Sequence, residues 1–210
     1  MKNRKLLMLL LVPFMMACGG EDTEATDEVI DEIVEEACTY SYNAENTILT
    51  WTAFKLTEKK GVDGSFNEIN VIANESDNMF DVLNGATFEI PIVSVNSQDE
   101  VRDPKIRDSF FGSMDSTLAI TGEVVSIDGS GATISITMNG VSVAYKGEVK
   151  VEEETITVTM TIDIVDFDAQ PSLDAIADVC AEKHTGEDGI NKFWTDVNIA
   201  VQTKLNKECK

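Results

Sequence analysis

The feature that most restricts the fold is a series of period-two runs between Thr117 and Ile164. In residues 155–164 (TITVTMTIDI), Ile156, Val158, Met160, Ile162 and Ile164 fall on one side, and Thr155, Thr157, Thr159, Thr161 and Asp163 on the other. Strict alternation predicts a β-strand with one dry and one wet face. Three similar runs precede it (TLAITGEVVSI, ATISITM and VSVAYKGEVKV), joined by turns at Asp128-Gly129, Asn139-Gly140 and Glu152 to Glu154. Asn-Gly between two alternating runs is the strongest short hairpin signal. The dry face must be covered by a packed core or by a greasy ligand, and the function turns on which.

The remaining segments extend the β pattern. YSYNAENTILTWTAFKL predicts a strand start, a turn at Asn43 to Asn46 and a longer strand through Trp51 and Phe54. GVDGSFNEINVIA reads as one strand with Gly61 and Gly64 at bulge or bend positions. ESDNMFDVLNG reads as a short helix. ATFEIPIVSV is a strand with Phe88, Ile90 and Ile92 on one face, and Pro91 moves it toward an edge or a bulge. RDPKIRDSFFGSM is a helix or compact loop with Pro104 near its start. After Phe167 a helix is expected, with Ser172 as N-cap and Leu173, Ile176, Ala177 and Cys180 at helical spacing. A last strand runs from about Thr195 to Leu205, with Val197, Ile199 and Val201 on one face. About eight antiparallel strands and a few short helices define one all-β domain, barrel or sandwich.

The start of the chain has a different character. Lys2, Arg4 and Lys5 precede an apolar run from Leu6 to Met16, followed by Ala17-Cys18-Gly19. The run is short for a membrane span, which needs about 20 apolar residues. Residues 1–17 read as a lipoprotein signal peptide, with Cys18 as the lipidated residue. Such a chain is exported and anchored through Cys18 to the bacterial cell envelope, facing the periplasm or the outside. Residues 18–38 contain nine carboxylates and no base, and read as an acidic flexible tether, although Val29, Ile30, Ile33 and Val34 also have helical spacing. Residues 39–210 form the folded domain. The 210-residue chain carries a net charge of −22, and −25 once Lys2, Arg4 and Lys5 are removed. Such a balance excludes nucleic acid as a partner, because no basic stripe is available.

The segment WTAFKLTEKKGVDGSFNEINV, with its Gly64-x-Phe66 step, resembles the YceI-like polyisoprenoid-binding family. So does SVNSQDEVRDPKIRDSFFGSM, with Ser94, Val95, Arg102, Asp103, Phe110 and Phe111 in order. MNGVSVAYKGEV resembles the same family's hairpin step. The match extends from Tyr40 to Leu205. Two departures are the absence of a His before the Gly-x-Phe step and an unusual insert from Pro171 to Phe193. The resemblance implies a lipocalin-like antiparallel barrel holding an isoprenoid or other long-chain lipid in its lumen. Candidate cavity residues are Phe54, Phe66, Phe88, Ile90, Phe110, Phe111, Ile136, Met138, Ile156, Val158, Met160, Ile162, Val197 and Ile199. The alternative is a structural or protein-interaction lipoprotein with a side-chain-filled barrel.

Other chemistry is poorly provided for. His184 is the only histidine, so no multi-His metal site can form, and it reads as a solvent-facing loop residue. No nucleophile, redox or phosphate-loop motif occurs, so no catalytic residue, cofactor or metal is expected. Asp99, Glu100, Asp103 and Asp108 lack calcium-loop spacing. Arg102 and Asp103 suit an ion pair or a loop-fixing hydrogen bond. In an oxidising compartment, Cys38, Cys180 and Cys209 leave one disulfide and one thiol. In a barrel closed on itself with an even strand count, the start of the first strand lies beside the end of the last. That predicts a Cys38–Cys209 bond with Cys180 as the buried odd thiol; Cys180–Cys209 is the rival pairing.

Overall fold

The computed structural model describes residues 37–115 and 117–210. The signal segment, Cys18 and the tether up to Glu36 lie outside the described residues. Twelve strands are present: β1 (Cys38–Ser41), β2 (Thr47–Lys55), β3 (Lys60–Phe66), β4 (Asn70–Ile72), β5 (Thr87–Pro91), β6 (Val95–Asn96), β7 (Ala119–Asp128), β8 (Gly131–Met138), β9 (Val141–Glu152), β10 (Thr155–Asp163), β11 (Phe193–Lys204) and β12 (Asn206–Cys209). Among the described residues three α-helices accompany them: α1 (Met79–Leu83), α2 (Arg102–Lys105) and α3 (Gln170–His184).

Ten strands form one antiparallel sheet in the order β4-β5-β7-β8-β9-β10-β11-β2-β3-β6. The sheet curls on itself. β5 pairs with β7 at one flank, and after a 3-10 turn (Ile92–Ser94) the same chain pairs as β6 with β3 at the other. The count exceeds eight because two predicted strands are broken. Residues 61–73 divide into β3 and β4, and residues 86–95 divide at Pro91 into β5 and β6. Pro91 lies just past the residues of β5 that pair with β4, so its missing N–H leaves no ladder bond unmade.

The alternating runs fold as their pattern requires. In β8, Ala132, Ile134, Ile136 and Met138 are buried, and in β10 Ile156, Val158, Met160 and Ile162 are buried. Asn139 and Gly140 between β8 and β9 have φ of 51° and 73°, the left-handed pair that a tight primed turn requires. Gly61 and Gly64, predicted as bulges or bends, instead sit in an unbroken β2–β3 ladder. Gly64 lies opposite Trp51, and any Cβ there would collide with the indole ring, so close approach is what the position demands. The irregularity in the meander falls at Val124–Ser126 of β7 instead.

Helix α3 starts earlier than predicted. Its N-cap is Ala169 and Pro171 lies in the first turn, where a missing N–H costs nothing; Ser172 is inside the helix and buried. Cys38 is not tether but the first residue of β1. β1 pairs with β12 as a separate two-stranded ribbon in register Cys38↔Cys209, and a disulfide joins those two residues. Cys180 is buried and free. The predicted bond is present, but the first and last strands do not close the barrel: they pair as a separate ribbon, and in the wall it is β2 and β11 that adjoin.

Candidate functional site: an apolar lumen with two unlike ends

The curled sheet and α3 enclose a cavity of about 730 Å³, within the range of small-molecule sites. Every apolar candidate lies in its wall: Phe54 from β2, Phe66 from β3, Phe88 and Ile90 from β5, Ile136 and Met138 from β8, Ile156, Val158, Met160 and Ile162 from β10, Val197 and Ile199 from β11, and Phe110 and Phe111 from the turn after α2. Phe110 and Phe111 meet edge to face, with ring centroids 4.9 Å apart, and Phe111 is nearly fully buried. Both tryptophans of the chain, Trp51 and Trp194, also face the lumen.

The wall extends the whole length of the β2–β11 pair. Thr47 opposite Thr203 marks one end and Lys55 opposite Phe193 the other. Eight residues at about 3.3 Å each separate them, a strand length of roughly 26 Å. At the first end the lining residues Tyr42, Thr47, Leu49 and Thr203 are all buried or half-buried. The hydroxyls of Thr47 and Thr203 lie 2.7 Å apart, and Thr47 donates to the Asn43 carbonyl at 2.8 Å. The Tyr42 hydroxyl is buried with no hydrogen-bond partner among the described residues. At the second end the wall reaches solvent: Lys60, Gly61, Asp63, Gln98, Val101 and Lys183 line the cavity and are exposed. The lumen is a slot with a sealed end and a mouth.

Several elements far apart in sequence build the mouth. Leu173, Ile176, Cys180 and His184 lie along one face of α3 and form part of the wall. His184 is therefore not a solvent-facing loop residue. It ends α3, is half-buried and stacks on Phe193 with ring centroids 4.2 Å apart. Burial, then the nearby Lys55, Arg102 and Lys105 charges, push its pKa down to about 4, so the ring is neutral near pH 7. Its Nδ1 is buried and without a hydrogen-bond partner among the described residues. Lys55 is likewise lowered from the usual lysine value, first by burial and then by Lys60, Arg102 and Lys183. Arg102 pairs with Asp99 at 3.2 Å, and not with Asp103. Asp103 accepts from the backbone N–H and the hydroxyl of Ser97 at 2.8 and 2.6 Å, which fixes the loop entering α2. Among the described residues no cluster of His, Cys, Asp or Glu could hold a metal ion.

Pattern reading missed Tyr42, Trp51, Trp194, His184 and the lysines of the mouth. The available signal was the spacing Leu173, Ile176, Cys180, His184, which carries one helical face on past Cys180.

An antiparallel sheet curled around an apolar chamber defines a lipocalin-like barrel. The chain belongs to the YceI-like domain family, whose pattern matches residues 40–205. Solved structures that share the fold include two that cover most of this chain. One is a polyisoprenoid binding domain from Saccharophagus degradans implicated in plant cell wall breakdown, with a TM-score of 0.55 and 15% identity over 83% of this chain and 99% of that one. The other is BcnA from Burkholderia cenocepacia, with a TM-score of 0.53 and 14% identity over 79% and 99%. No functionally curated protein matched the sequence.

Proposed function

We propose that this chain is an envelope-anchored lipoprotein that carries one isoprenoid or other long-chain lipid in its barrel lumen. The observation that carries this reading is the apolar chamber of about 730 Å³ running the length of the β2–β11 pair. A barrel filled by its own side chains would leave no such space. An apolar tail gains roughly 0.8 kcal/mol per buried CH₂, so a slot lined by Ile, Val, Met and Phe suffices for binding, and Met and aromatic residues suit an irregular chain. The polyisoprenoid-binding description of the Saccharophagus neighbour supports the same class of ligand.

The anchor rests on sequence: three basic residues, an apolar run and Ala17-Cys18-Gly19. Diacylation of Cys18 would hold the barrel at a membrane stably, since two chains suffice where one is marginal. The acidic stretch that follows would serve as the spacer.

Mass spectrometry of an organic extract from gently purified protein tests the cargo. One long-chain lipid per chain is expected, and the Met160→Asp variant, which places a charge in the lumen wall, should retain none. A clean extract, together with no uptake of added lipid by the wild type, would end the carrier reading. For the anchor, Cys18→Ser should move the protein out of the membrane fraction; retention there with no acyl label on the wild type would refute it.

A further inference from the structure

An apolar tail makes no use of the charges that stand at the open end of the lumen. The chain as a whole carries 38 acidic residues against 16 basic ones. In the cavity wall the balance is reversed: Lys55, Lys60, Arg102, Lys105 and Lys183 face only Asp63 and Asp99. Asp99 is occupied by Arg102 at 3.2 Å, and Asp63 accepts from the Thr52 hydroxyl at 2.6 Å. None of the four lysines forms an ion pair among the described residues. Lys55 and Lys60 are directly opposite each other in the β2–β3 register. Like charges in that arrangement destabilise a sheet, so a structural role alone would not select it.

Helix capping accounts for part of the cluster. Lys55 Nζ donates to the Lys183 carbonyl at 3.4 Å and Lys105 Nζ to the Val179 carbonyl at 3.1 Å, both in the last turns of α3. Each bond uses one donor of three. Capping leaves Lys60 and the Lys183 ammonium unexplained. It also leaves the repulsion among these cations, which contributes to the lowered pKa values of Lys55 and His184.

We propose that the mouth is a headgroup site: Lys55, Lys60, Lys105 and Lys183 receive the phosphate or carboxylate of an anionic lipid whose tail lies along the lumen toward Tyr42. The preferred cargo is then a long-chain anionic amphiphile, and neutral or cationic chains of equal length bind more weakly. This rests on the carrier reading above and adds the charge and the orientation of the ligand. An anion gains most where lysines are partly desolvated beside low-dielectric walls, and lysine suits phosphate as a point charge.

Hexadecyl phosphate, hexadecanol and hexadecyltrimethylammonium share one tail and differ in the head. Their binding is read from the fluorescence of Trp51 and Trp194, which line the lumen. At low salt the phosphate should bind at least about tenfold tighter than the alcohol, a difference of rim electrostatics, and the cation weakest of all. The ratio should shrink as ionic strength rises. Lys60→Gln and Lys183→Gln, both at exposed positions, should each narrow the ratio, whereas Lys150→Gln on the outer wall should leave it unchanged. Equal affinity for phosphate and alcohol, or a ratio insensitive to salt, overturns the headgroup site while leaving the carrier reading intact. If none of the three chains binds, the carrier reading itself fails. Inorganic phosphate displacing hexadecyl phosphate at comparable concentration would assign the cluster to a free anion and likewise overturn the proposal.

Discussion

The two ends of the barrel are made of the same strands and differ in almost everything else. At the Tyr42 end, β2 and β11 run on into the β1–β12 ribbon, the polar groups are hydroxyls, and a disulfide joins the chain's first and last described strands. At the Lys55 end, short pieces meet from β3, the 97–106 segment and the end of α3, and four lysines and a neutral histidine crowd one opening. The sealed end spends its sequence on closure. Each end holds one buried polar atom without a hydrogen-bond partner among the described residues, the Tyr42 hydroxyl and His184 Nδ1; the open end alone adds opposed like charges, which cost stability and make sense where a charged ligand is received.

Releasing the sealed end should have the largest effect. The Cys38–Cys209 bond spans 171 residues. In the chain-entropy account a loop of that size contributes about 5 kcal/mol. Urea unfolding of the Cys38→Ser, Cys209→Ser double variant should show a loss of that order. The ratio of phosphate to alcohol affinity, set at the other end, should hold wherever the variant is folded. A loss below about 1 kcal/mol would mean that the ribbon is not part of the cooperative unit.

The contrast also governs what the sequence made legible. The wall of β7 to β10 was readable because alternation and Asn139-Gly140 are local signals: each residue's face follows from its neighbours. The disulfide was readable because the long strands nearest the two chain ends, β2 and β11, adjoin in the wall, so the segments flanking them, β1 and β12, emerge side by side. The mouth was not readable. Lys55, Lys60, Lys105 and Lys183 are separated by up to 128 residues, and no short motif marks four lysines that converge through a strand break at Pro91 and a helix that runs on past Cys180 to His184. His184 was misplaced for the same reason: the helix continues to it, and its partner Phe193 comes from the following strand. Gly64 looked like a bend because glycine in a strand often is one, whereas here it makes room for Trp51.

A middle-sized effect should come from filling the sealed end. Leu49, about 9% exposed and opposite Val201, lines the lumen there. Leu49→Trp adds bulk into the chamber, at a cost of about 1–3 kcal/mol if neighbours must shift. The preferred tail in a series of alkyl phosphates should become shorter by several carbons, with the headgroup preference retained. Lysine variants at the mouth should do the reverse, changing headgroup preference and leaving the preferred length. If Leu49→Trp leaves the length optimum where it was, the tail does not reach the Tyr42 end.

The smallest effect concerns His184 and has a definite sign. Its pKa is pushed down to about 4 in the fold from 6.5. The unfolded chain therefore takes up its proton first as the pH falls. The contribution of the neutral ring to stability is complete above about pH 6.5 and is lost progressively down to about pH 4. The side chain is only half-buried, so solvent screening reduces the loss to about 1 kcal/mol. His184→Gln should flatten the fall in stability over that window relative to the wild type. Carboxylates such as Asp99 and Asp188, whose pKa values are lowered by hydrogen bonds, continue to titrate at lower pH in both proteins and cancel in the comparison. The same protonation adds a cation at the mouth. Hexadecyl sulfate, whose charge is constant over this range, should therefore bind the wild type more tightly as stability declines, and the Gln variant should lose that gain. Parallel losses of stability and affinity on acidification would place His184 in the fold's support alone and remove it from the headgroup site.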